Sequence, residues 1–296
     1  MTKVGVIGAG KWGTALAFAL SEKCEVYITS RTPRDMKNFA SLDEILKLEY
    51  LVVAIPAQQV SFWLRENFKY NNQKILVAAK GIEATTGKFL NEIYEEYVPH
   101  NNIAFLSGPS FATEVMKSLP TALVVNSVNE ELSKKFASFF PSFIKTYTST
   151  DVVGAEVAGA YKNVIAIAAG ICEGLDLGKN AAASLISRGL VEMQRFGKVY
   201  GAKEESFVGL SGAGDLFLTA SSTMSRNFRV GLGIAAGKSK EEIVKELGEV
   251  AEGIGTTYAL HKIAKEKELY LPIAREVYNM LEGLNPHVSL SNFLAN

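Results

Sequence analysis

The chain has 296 residues, 48% of them hydrophobic, which is enough for two domains with sizeable cores. Lysine plus arginine and aspartate plus glutamate both number 31, and the resulting zero net charge argues against a nucleic-acid or membrane-surface binder. The two cysteines lie far apart and the three histidines lack metal-ligand spacing, so we expect neither a disulfide framework nor a metal site.

A glycine-rich turn follows the first predicted strand. Strand, glycine motif, helix and second strand are predicted in this order at Lys3–Ile7, Gly8-Ala9-Gly10-Lys11-Trp12-Gly13, Thr14–Leu20 and Cys24–Thr29. Gly8 permits the tight turn, Gly10 lets the backbone approach a pyrophosphate, and Gly13 lets the helix pack close to the sheet. The free N–H groups of the helix then face the phosphates. The motif predicts a dinucleotide site, and the alternative is a structural turn.

The end of the second predicted strand bears on the choice of cofactor. Thr29, Ser30 and Arg31 stand there in place of the carboxylate that usually binds the adenosine ribose. An arginine can pair with a 2′-phosphate, which an acidic residue would repel. The sequence therefore weakly favours NADPH without excluding NADH. The alternative is that Arg31 stacks on the adenine or is solvated.

The first half of the chain continues to alternate between strands and helices. Strands are predicted at Tyr50–Ile55, Lys74–Ala79, Ile103–Leu106, Thr121–Asn126 and Ile144–Thr148, and helices at Ser41–Leu48, Gln58–Phe68, Glu83–Tyr97 and Glu130–Phe139. This alternation predicts a Rossmann-type, doubly wound, mostly parallel sheet, whose ligands bind beyond the strand carboxyl ends. The glycine turn, Lys80 and the loop 108–112 would meet there. Lys80 is alternatively a solvated turn lysine.

The second half of the chain is predicted to be all-helical. Beyond the helix that carries Lys162, helices are predicted at Ala181–Tyr200, Arg229–Ala236, Lys240–Leu247, Thr257–Lys265 and Ile273–Glu282. The change of pattern places a domain boundary between residues 148 and 149, giving a dinucleotide-binding domain (1–148) and a helical substrate domain (149–296). No apolar run approaches the ~20 residues that span a bilayer, and no signal-peptide pattern is present. We therefore expect a soluble cytoplasmic protein without a membrane span.

A lysine interrupts the most apolar predicted helix, Val157–Leu175. Lys162 lies among apolar and small residues at helical spacing, where a charge is costly to bury. Burial lowers the pKa of a lysine and suits it to proton transfer. The alternative is a lysine that extends from a core helix to solvent.

Two polar segments in the helical half are candidate ligand loops. Asp215 follows the glycine-rich run Gly209–Gly214, where its other role would be that of a helix cap. Ser225-Arg226-Asn227 offers a phosphate one charge and several hydrogen-bond donors, but it also has the composition of an exposed turn. Glu252-Gly253 begins a further glycine-containing turn that leads into a predicted helix. The alternative is that these residues only cap that helix.

The ordered motifs resemble a known family. GAGKWGTALA, AIPAQ, AAKGIE, LSGPSFA, GAYKNVIAIAAGICEGLDLG, GAGDLFLT, SRNFRVG and VAEGIGTT, from residue 3 to about 260, are similar to bacterial NAD(P)-dependent sn-glycerol-3-phosphate dehydrogenase. The connection Arg31–Glu49 looks shorter than in that family. The resemblance implies reversible reduction of dihydroxyacetone phosphate to sn-glycerol 3-phosphate for phospholipid synthesis, and a homodimer is also expected.

The resemblance also implies roles for individual residues. Lys162 would be the catalytic acid/base, acting with Lys80, Asp215 and Thr219. The substrate would contact Lys80, Gly108, Ser110, Lys162, Asn163, Asp215, Ser225, Arg226 and Asn227. The cofactor would contact Gly8, Gly10, Lys11, Trp12, Gly13, Arg31, Lys80, Ala112, Arg226, Val250 and Glu252. The rival hypotheses are a ketopantoate-type reductase acting on a carboxylate and a non-catalytic dinucleotide sensor.

Overall fold

The structure is a computed structural model that describes residues 1–289. The strands are β1 (Lys3–Ile7), β2 (Glu25–Thr29), β3 (Tyr50–Val53), β4 (Lys74–Val77), β5 (Ile103–Ser107), β6 (Thr121–Asn126) and β7 (Ile144–Ser149). The α-helices of the first half are α1 (Lys11–Leu20), α2 (Leu42–Ile45), α3 (Val60–Asn67), α4 (Leu90–Glu95), α5 (Ala112–Val115) and α6 (Glu130–Ala137). Those of the second half are α7 (Val152–Gly174), α8 (Gly178–Val199), α9 (Glu204–Val208), α10 (Asp215–Ala220), α11 (Arg226–Ala235), α12 (Lys240–Leu247), α13 (Glu252–Glu266) and α14 (Pro272–Leu281).

The strands form one seven-stranded sheet in the order β2-β1-β3-β4-β5-β6-β7 within the described residues. β5 and β6 are antiparallel, and the other neighbouring pairs are parallel. The carboxyl ends of β1, β3, β4 and β5 therefore lie at the same edge of the sheet. The predicted fold, a mostly parallel Rossmann-type sheet followed by helices, is confirmed.

The central strands are apolar because both faces of the sheet are covered. Val4 and Val6 of β1 pack on one face with α1, whereas Ile7 packs on the other face with α3 and α4. This burial on both sides explains why these strands are continuous apolar runs in the sequence. The sheet is thus a rigid support for the loops at its carboxyl edge.

The predicted helix Glu83–Tyr97 is wrong in its first half. Ile82 pairs with Phe89 in an antiparallel bridge, and Glu83 N–H donates to the Lys88 carbonyl. Gly87 has φ +75°, a left-handed conformation that ends any helix at that point. The helix α4 begins only at Leu90, so residues 82–89 form a hairpin between the Lys80 loop and α4.

Helix α7 is the core of the second half. Asp151 caps it by accepting a 3.0 Å hydrogen bond from Gly154 N–H. The helix is long and apolar enough to cross a bilayer, but 94% of its most apolar window is buried in the protein, as in a core helix. At Gly170 a Cβ would lie 2.0 Å from the Phe228 carbonyl oxygen, so the backbones of α7 and α11 are in contact.

Two segments that the sequence analysis treats as loops are helical. Residues 210–214 form one π-helical turn that leads directly into α10, and α11 begins at Arg226 with Ser225 as its N-cap. At Gly212 a Cβ would lie 2.2 Å from the Phe207 carbonyl oxygen, so glycine is needed for this tight packing. Glycine-rich composition therefore reflects close contact here and not a loop. The predicted domain boundary lies near the end of β7 and stays a prediction.

Candidate active site

Two lysines from different halves of the chain share one buried aspartate. Lys162 Nζ lies 2.6 Å from Asp215 Oδ1, and Lys80 Nζ lies 2.6 Å from Asp215 Oδ2. Lys162 also donates to Thr219 Oγ1 at 2.9 Å, and Lys80 donates to the Gly108 carbonyl at 3.2 Å. All five predicted residues thus form one network at the carboxyl edge of the sheet. Both solvated-lysine alternatives are wrong.

Burial and charge set the protonation of this network. Lys162 is 8% exposed, and burial lowers its pKa to about 8. The Asp215 carboxylate acts in the opposite direction and raises this pKa, whereas the Lys80 ammonium lowers it further. Burial alone would raise the pKa of Asp215, but the two ammonium groups overcome this and lower it. Asp215 is therefore an anion at neutral pH, while Lys162 can exchange a proton near pH 8.

Asp215 follows a π-helical turn that a buried polar chain joins to the sheet. It is the first residue of α10, and its side chain pairs with the lysines, so the helix-cap alternative is wrong. In the π-helical turn before it, Ser211 Oγ lies 2.7 Å from Ser107 Oγ, which accepts from Asn126 Nδ2 at 2.8 Å. This chain links the turn before α10 to β5 and β6. Isolated serines carry no local sequence signal, so this chain could not be predicted.

A second polar cluster connects three helices beside Lys162. Asn227 Nδ2 donates to Asn163 Oδ1, and Asn227 Oδ1 accepts from Gly253 N–H, both at 2.9 Å. At Gly253 a Cβ would lie 2.7 Å from Asn227 Oδ1, which explains the glycine. Ser225, the N-cap of α11, accepts from Phe228 N–H at 3.2 Å. The exposed-turn alternative for 225–227 is wrong, since Ser225 and Asn227 are buried.

The glycine turn has the shape that a dinucleotide needs. Gly8 has φ +108°, and a Cβ there would lie 2.6 Å from the Ala54 carbonyl oxygen. At Gly13 a Cβ would lie 1.8 Å from the Gly8 carbonyl oxygen, whereas at Gly10 it would meet nothing within 4 Å. Gly10 therefore faces open space above the N-terminus of α1, which has no side-chain cap. These residues fit a bound pyrophosphate.

Further predicted cofactor residues surround this turn. Trp12 Nε1 donates to the Ala78 carbonyl at 3.0 Å, next to the Lys80 loop. Glu252 Oε1 accepts from Ala57 N–H at 3.3 Å, and burial raises the pKa of Glu252. Helix α13 is thereby joined to the carboxyl end of β3.

The remaining predicted residues lie around the edge of the site. Ala112 begins α5, which packs against α1, and Ser110 Oγ donates to the Gly108 carbonyl at 3.4 Å. Arg31 is exposed just beyond β2, and Val250 is 49% exposed. Neither Arg31 nor Val250 belongs to the lysine–aspartate network.

One carboxylate that the sequence analysis missed lies between two predicted anion-binding residues. Glu249 Oε1 lies 2.6 Å from Lys11 Nζ, and Glu249 Oε2 lies 3.9 Å from an Arg226 Nη. The hydrogen bond from Lys11 lowers the pKa of Glu249, and Arg226 acts in the same direction. The sequence signal for Glu249 was that it directly precedes the segment VAEGIGTT, which contains Glu252.

Comparisons with known proteins decide the family. A model described as the NAD-dependent glycerol-3-phosphate dehydrogenase N-terminus matches residues 3–44 and 29–133, and the corresponding C-terminus model matches residues 151–290. The glycerol-3-phosphate dehydrogenase (NAD(P)+) of Sulfurimonas denitrificans is 88% identical over 296 residues and covers 100% of both chains. The chain belongs to the NAD-dependent glycerol-3-phosphate dehydrogenase family.

Other glycerol-3-phosphate dehydrogenases agree with this assignment. The Nitratiruptor enzyme is 59% identical over 292 residues, covering 99% of this chain and 98% of that one. The crystal structure of the Coxiella burnetii glycerol-3-phosphate dehydrogenase has a TM-score of 0.90 at 31% identity, covering 100% of this chain and 99% of the other. A probable 2-dehydropantoate 2-reductase from Bacillus subtilis, 13% identical with a TM-score of 0.55, shares the fold alone. The family resemblance and its NAD(P) dependence are confirmed.

Proposed function

We propose that this chain catalyses the reversible, NAD(P)H-dependent reduction of dihydroxyacetone phosphate to sn-glycerol 3-phosphate, which provides the glycerol backbone of phospholipids. The observation that carries the proposal is the buried Lys162–Asp215–Lys80 network beside the open face of the glycine turn. A dinucleotide sensor needs no buried proton donor at that position. Family membership favours this substrate over a carboxylate.

Lys162 is the acid/base of the proposed reaction. When bound, the nicotinamide supplies a hydride to the substrate carbonyl carbon or accepts it in the reverse direction. Lys162 as ammonium donates a proton to the substrate C2 oxygen, and neutral Lys162 accepts it during oxidation. Lys80 stabilises negative charge on the same oxygen. Asp215 and Thr219 orient the Lys162 side chain through the hydrogen bonds described above.

The substrate phosphate binds at the N-terminus of α11 in this proposal. Arg226, 42% exposed in its side chain, provides the charge, with Ser225 and Asn227 on either side. Asn163, Gly108 and Ser110 line the region between the phosphate and the lysines. Binding energy from the phosphate holds the carbonyl in place for reaction.

The cofactor lies along the glycine turn in this proposal. Gly8, Gly10 and Gly13 accommodate the pyrophosphate, and Lys11, Trp12, Ala112, Val250 and Glu252 surround it. Arg31 would contact the adenosine end and favour NADPH over NADH. We also propose a cytoplasmic homodimer with one site in each protomer.

The first experiment is an assay of NADPH and NADH oxidation at 340 nm with dihydroxyacetone phosphate as the substrate. Rapid turnover is expected, with the higher kcat/KM for NADPH. Turnover of 2-dehydropantoate in its place would indicate the carboxylate reductase. NADPH binding without turnover of either substrate would indicate the sensor.

The side chain of Lys80 packs against Gly159 of α7. A Cβ at Gly159 would be 3.2 Å from both Cγ and Cδ of Lys80. Gly159→Ala should therefore displace the Lys80 ammonium and lower kcat by about threefold to tenfold. Because alanine favours a helix over glycine by about 1 kcal/mol, the melting temperature should not fall. Steady-state kinetics and thermal unfolding check this, and unchanged kcat would refute the positioning of Lys80.

Glu249 competes with ligand anions for Lys11 and Arg226. Glu249→Gln removes that negative charge and should lower KM for both dihydroxyacetone phosphate and NADPH. The decrease should be up to about fivefold, since exposed ion pairs contribute about 1 kcal/mol or less. Glu246→Gln, which breaks an exposed pair with Lys238, is the control. A rise in both KM values would show that Glu249 assists ligand binding.

A further inference from the structure

A buried glutamate connects the helix that carries Lys162 to the segment that carries Lys80. Glu156 in α7 is 5% exposed, and its Oε2 accepts a 3.2 Å hydrogen bond from Asn91 N–H. Leu90 N–H also acts on this carboxyl group and lowers its pKa. These two N–H groups are in the first turn of α4, whose N-cap is Phe89 and has no side-chain acceptor. Glu156 therefore caps α4 from a distance of 65 residues in the chain.

The capped end of α4 is close to Lys80 along the chain. Lys80 and Gly81 precede the hairpin that the Ile82–Phe89 bridge closes, and α4 begins at the next residue. Ile82 and Phe89 are also packed into the helical core around α7. The hairpin thus has both of its ends packed near α7. Glu156 provides a polar contact from α7, in addition to the hydrogen bonds that residues 82–85 make with Gln58 and Lys262.

We propose that Glu156 is a positioning residue that fixes the Lys80 segment against α7, so that Lys80 and Lys162 both reach the carboxylate of Asp215. The inference rests on the proposed function. The two lysines come from different halves of the chain, and both Nζ–O distances are 2.6 Å. Such a site must be held to within about 0.5 Å by its surroundings. No other polar side-chain contact between α4 and α7 is found within residues 1–289.

The surroundings of Glu156 are unfavourable for a charge. Burial raises its pKa to about 8, and Glu252 of α13 and Glu92 of α4 add repulsion, although the two N–H groups oppose this. At neutral pH the carboxyl group is therefore mostly protonated, and glutamine is a close mimic. Glu156→Gln keeps the acceptor oxygen, whereas Glu156→Met keeps the length of the side chain without it.

The chain contains a matched control. Glu192 is 2% exposed and accepts hydrogen bonds from Ile273 and Ala274 N–H in the first turn of α14, at 2.9 and 3.0 Å. It also accepts from Tyr161 of α7 at 2.7 Å. Glu192 of α8 therefore also accepts from the first turn of another helix and contacts α7, but neither α14 nor the segment just before it carries a lysine of the site.

The test uses three variants of the full-length protein: Glu156→Gln, Glu156→Met and Glu192→Met. The melting temperature, kcat and KM for dihydroxyacetone phosphate are measured for each. Glu156→Met should lower kcat about tenfold with little change in KM. Glu156→Gln, which keeps the acceptor oxygen, should have the wild-type kcat. In a Lys80→Ala background the effect of Glu156→Met should disappear. Glu192→Met should lower the melting temperature without this loss of kcat. If Glu156→Met does not fold, Glu156→Asp, whose side chain is too short to keep the hydrogen bond from Asn91 N–H, replaces it.

A second readout does not depend on activity. The pKa of Lys162, followed by NMR of lysine labelled at Cε, should rise in Glu156→Met because Lys80 no longer lies next to it. It should stay unchanged in Glu192→Met. The proposal would be overturned if folded Glu156→Met kept the wild-type kcat and the wild-type pKa of Lys162. It would also be overturned if Glu156→Met lowered kcat by the same factor in the Lys80→Ala background as in the wild-type protein. Failure of the wild-type protein to reduce dihydroxyacetone phosphate would instead reject the proposed function, and the NMR result would still test the positioning role.

Discussion

Lys162→Ala is expected to lower kcat for dihydroxyacetone phosphate reduction by about 10²–10⁴-fold, the range for loss of a positioned acid or base. The substrate oxygen would lose its proton donor, while Lys80 would still pair with Asp215 and keep that carboxylate compensated. The dissociation constant of NADPH should not change, because Lys162 does not belong to the glycine turn. Steady-state kinetics and fluorescence titration with NADPH measure the two effects.

The pH dependence provides an independent check of the same role. Burial lowers the pKa of Lys162 to about 8, so the ammonium form decreases as the pH rises through that value. The rate of ketone reduction should therefore fall above about pH 8, and the rate of alcohol oxidation should rise. This opposite dependence in the two directions identifies one group that donates in one direction and accepts in the other.

A matched lysine separates catalysis from structure. Lys74 is half-buried in β4 and donates to Asn102 Oδ1 at 2.7 Å, away from Asp215. Lys74→Met should leave both kcat and the pH profile unchanged. Equal turnover in Lys162→Ala and the wild-type protein would remove Lys162 from the mechanism, and Lys80 would then be the next candidate.

The fold could be predicted from the sequence because its signals are local. Continuous apolar runs predicted the buried strands, and the glycine motif placed between a strand and a helix predicted the turn at Gly8. Lys162 could be singled out because a charge within an apolar helix has few explanations. The helix starts at Arg226 and Glu252 could not be predicted, since glycine and polar residues in a first turn resemble a loop.

The network of the site could not be predicted from local pattern. Asp215 meets Lys80 over a separation of 135 residues, and no spacing rule connects them. Glu156 and Glu249 were missed for the same reason, because an acidic residue on a helix or in a turn is usually solvated. Their partners become visible only when the folded chain brings α4 to α7 and Lys11 to the segment before α13. The family resemblance implied that Lys162, Lys80, Asp215 and Thr219 act together, but it gave no role to Glu156 or Glu249.

Arg226→Ala is expected to raise KM for dihydroxyacetone phosphate more than any other change in the SRN segment. A charge-assisted hydrogen bond to a phosphate contributes about 1.5–3 kcal/mol, which corresponds to a loss of about tenfold to a hundredfold in kcat/KM. Arg226→Lys should recover part of this, because lysine keeps the charge but not the paired donors.

A substrate without a phosphate tests whether Arg226 acts on the phosphate group. Dihydroxyacetone lacks the phosphate, so its kcat/KM should be the same in Arg226→Ala and the wild-type protein. Arg195, which is exposed on α8 and donates to the Tyr270 carbonyl at 2.8 Å, provides the control substitution Arg195→Ala. If Arg226→Ala reduced the turnover of both substrates equally, Arg226 would act on the cofactor or on the fold of α11. The phosphate site would then have to include Lys11, the other cation that Glu249 binds.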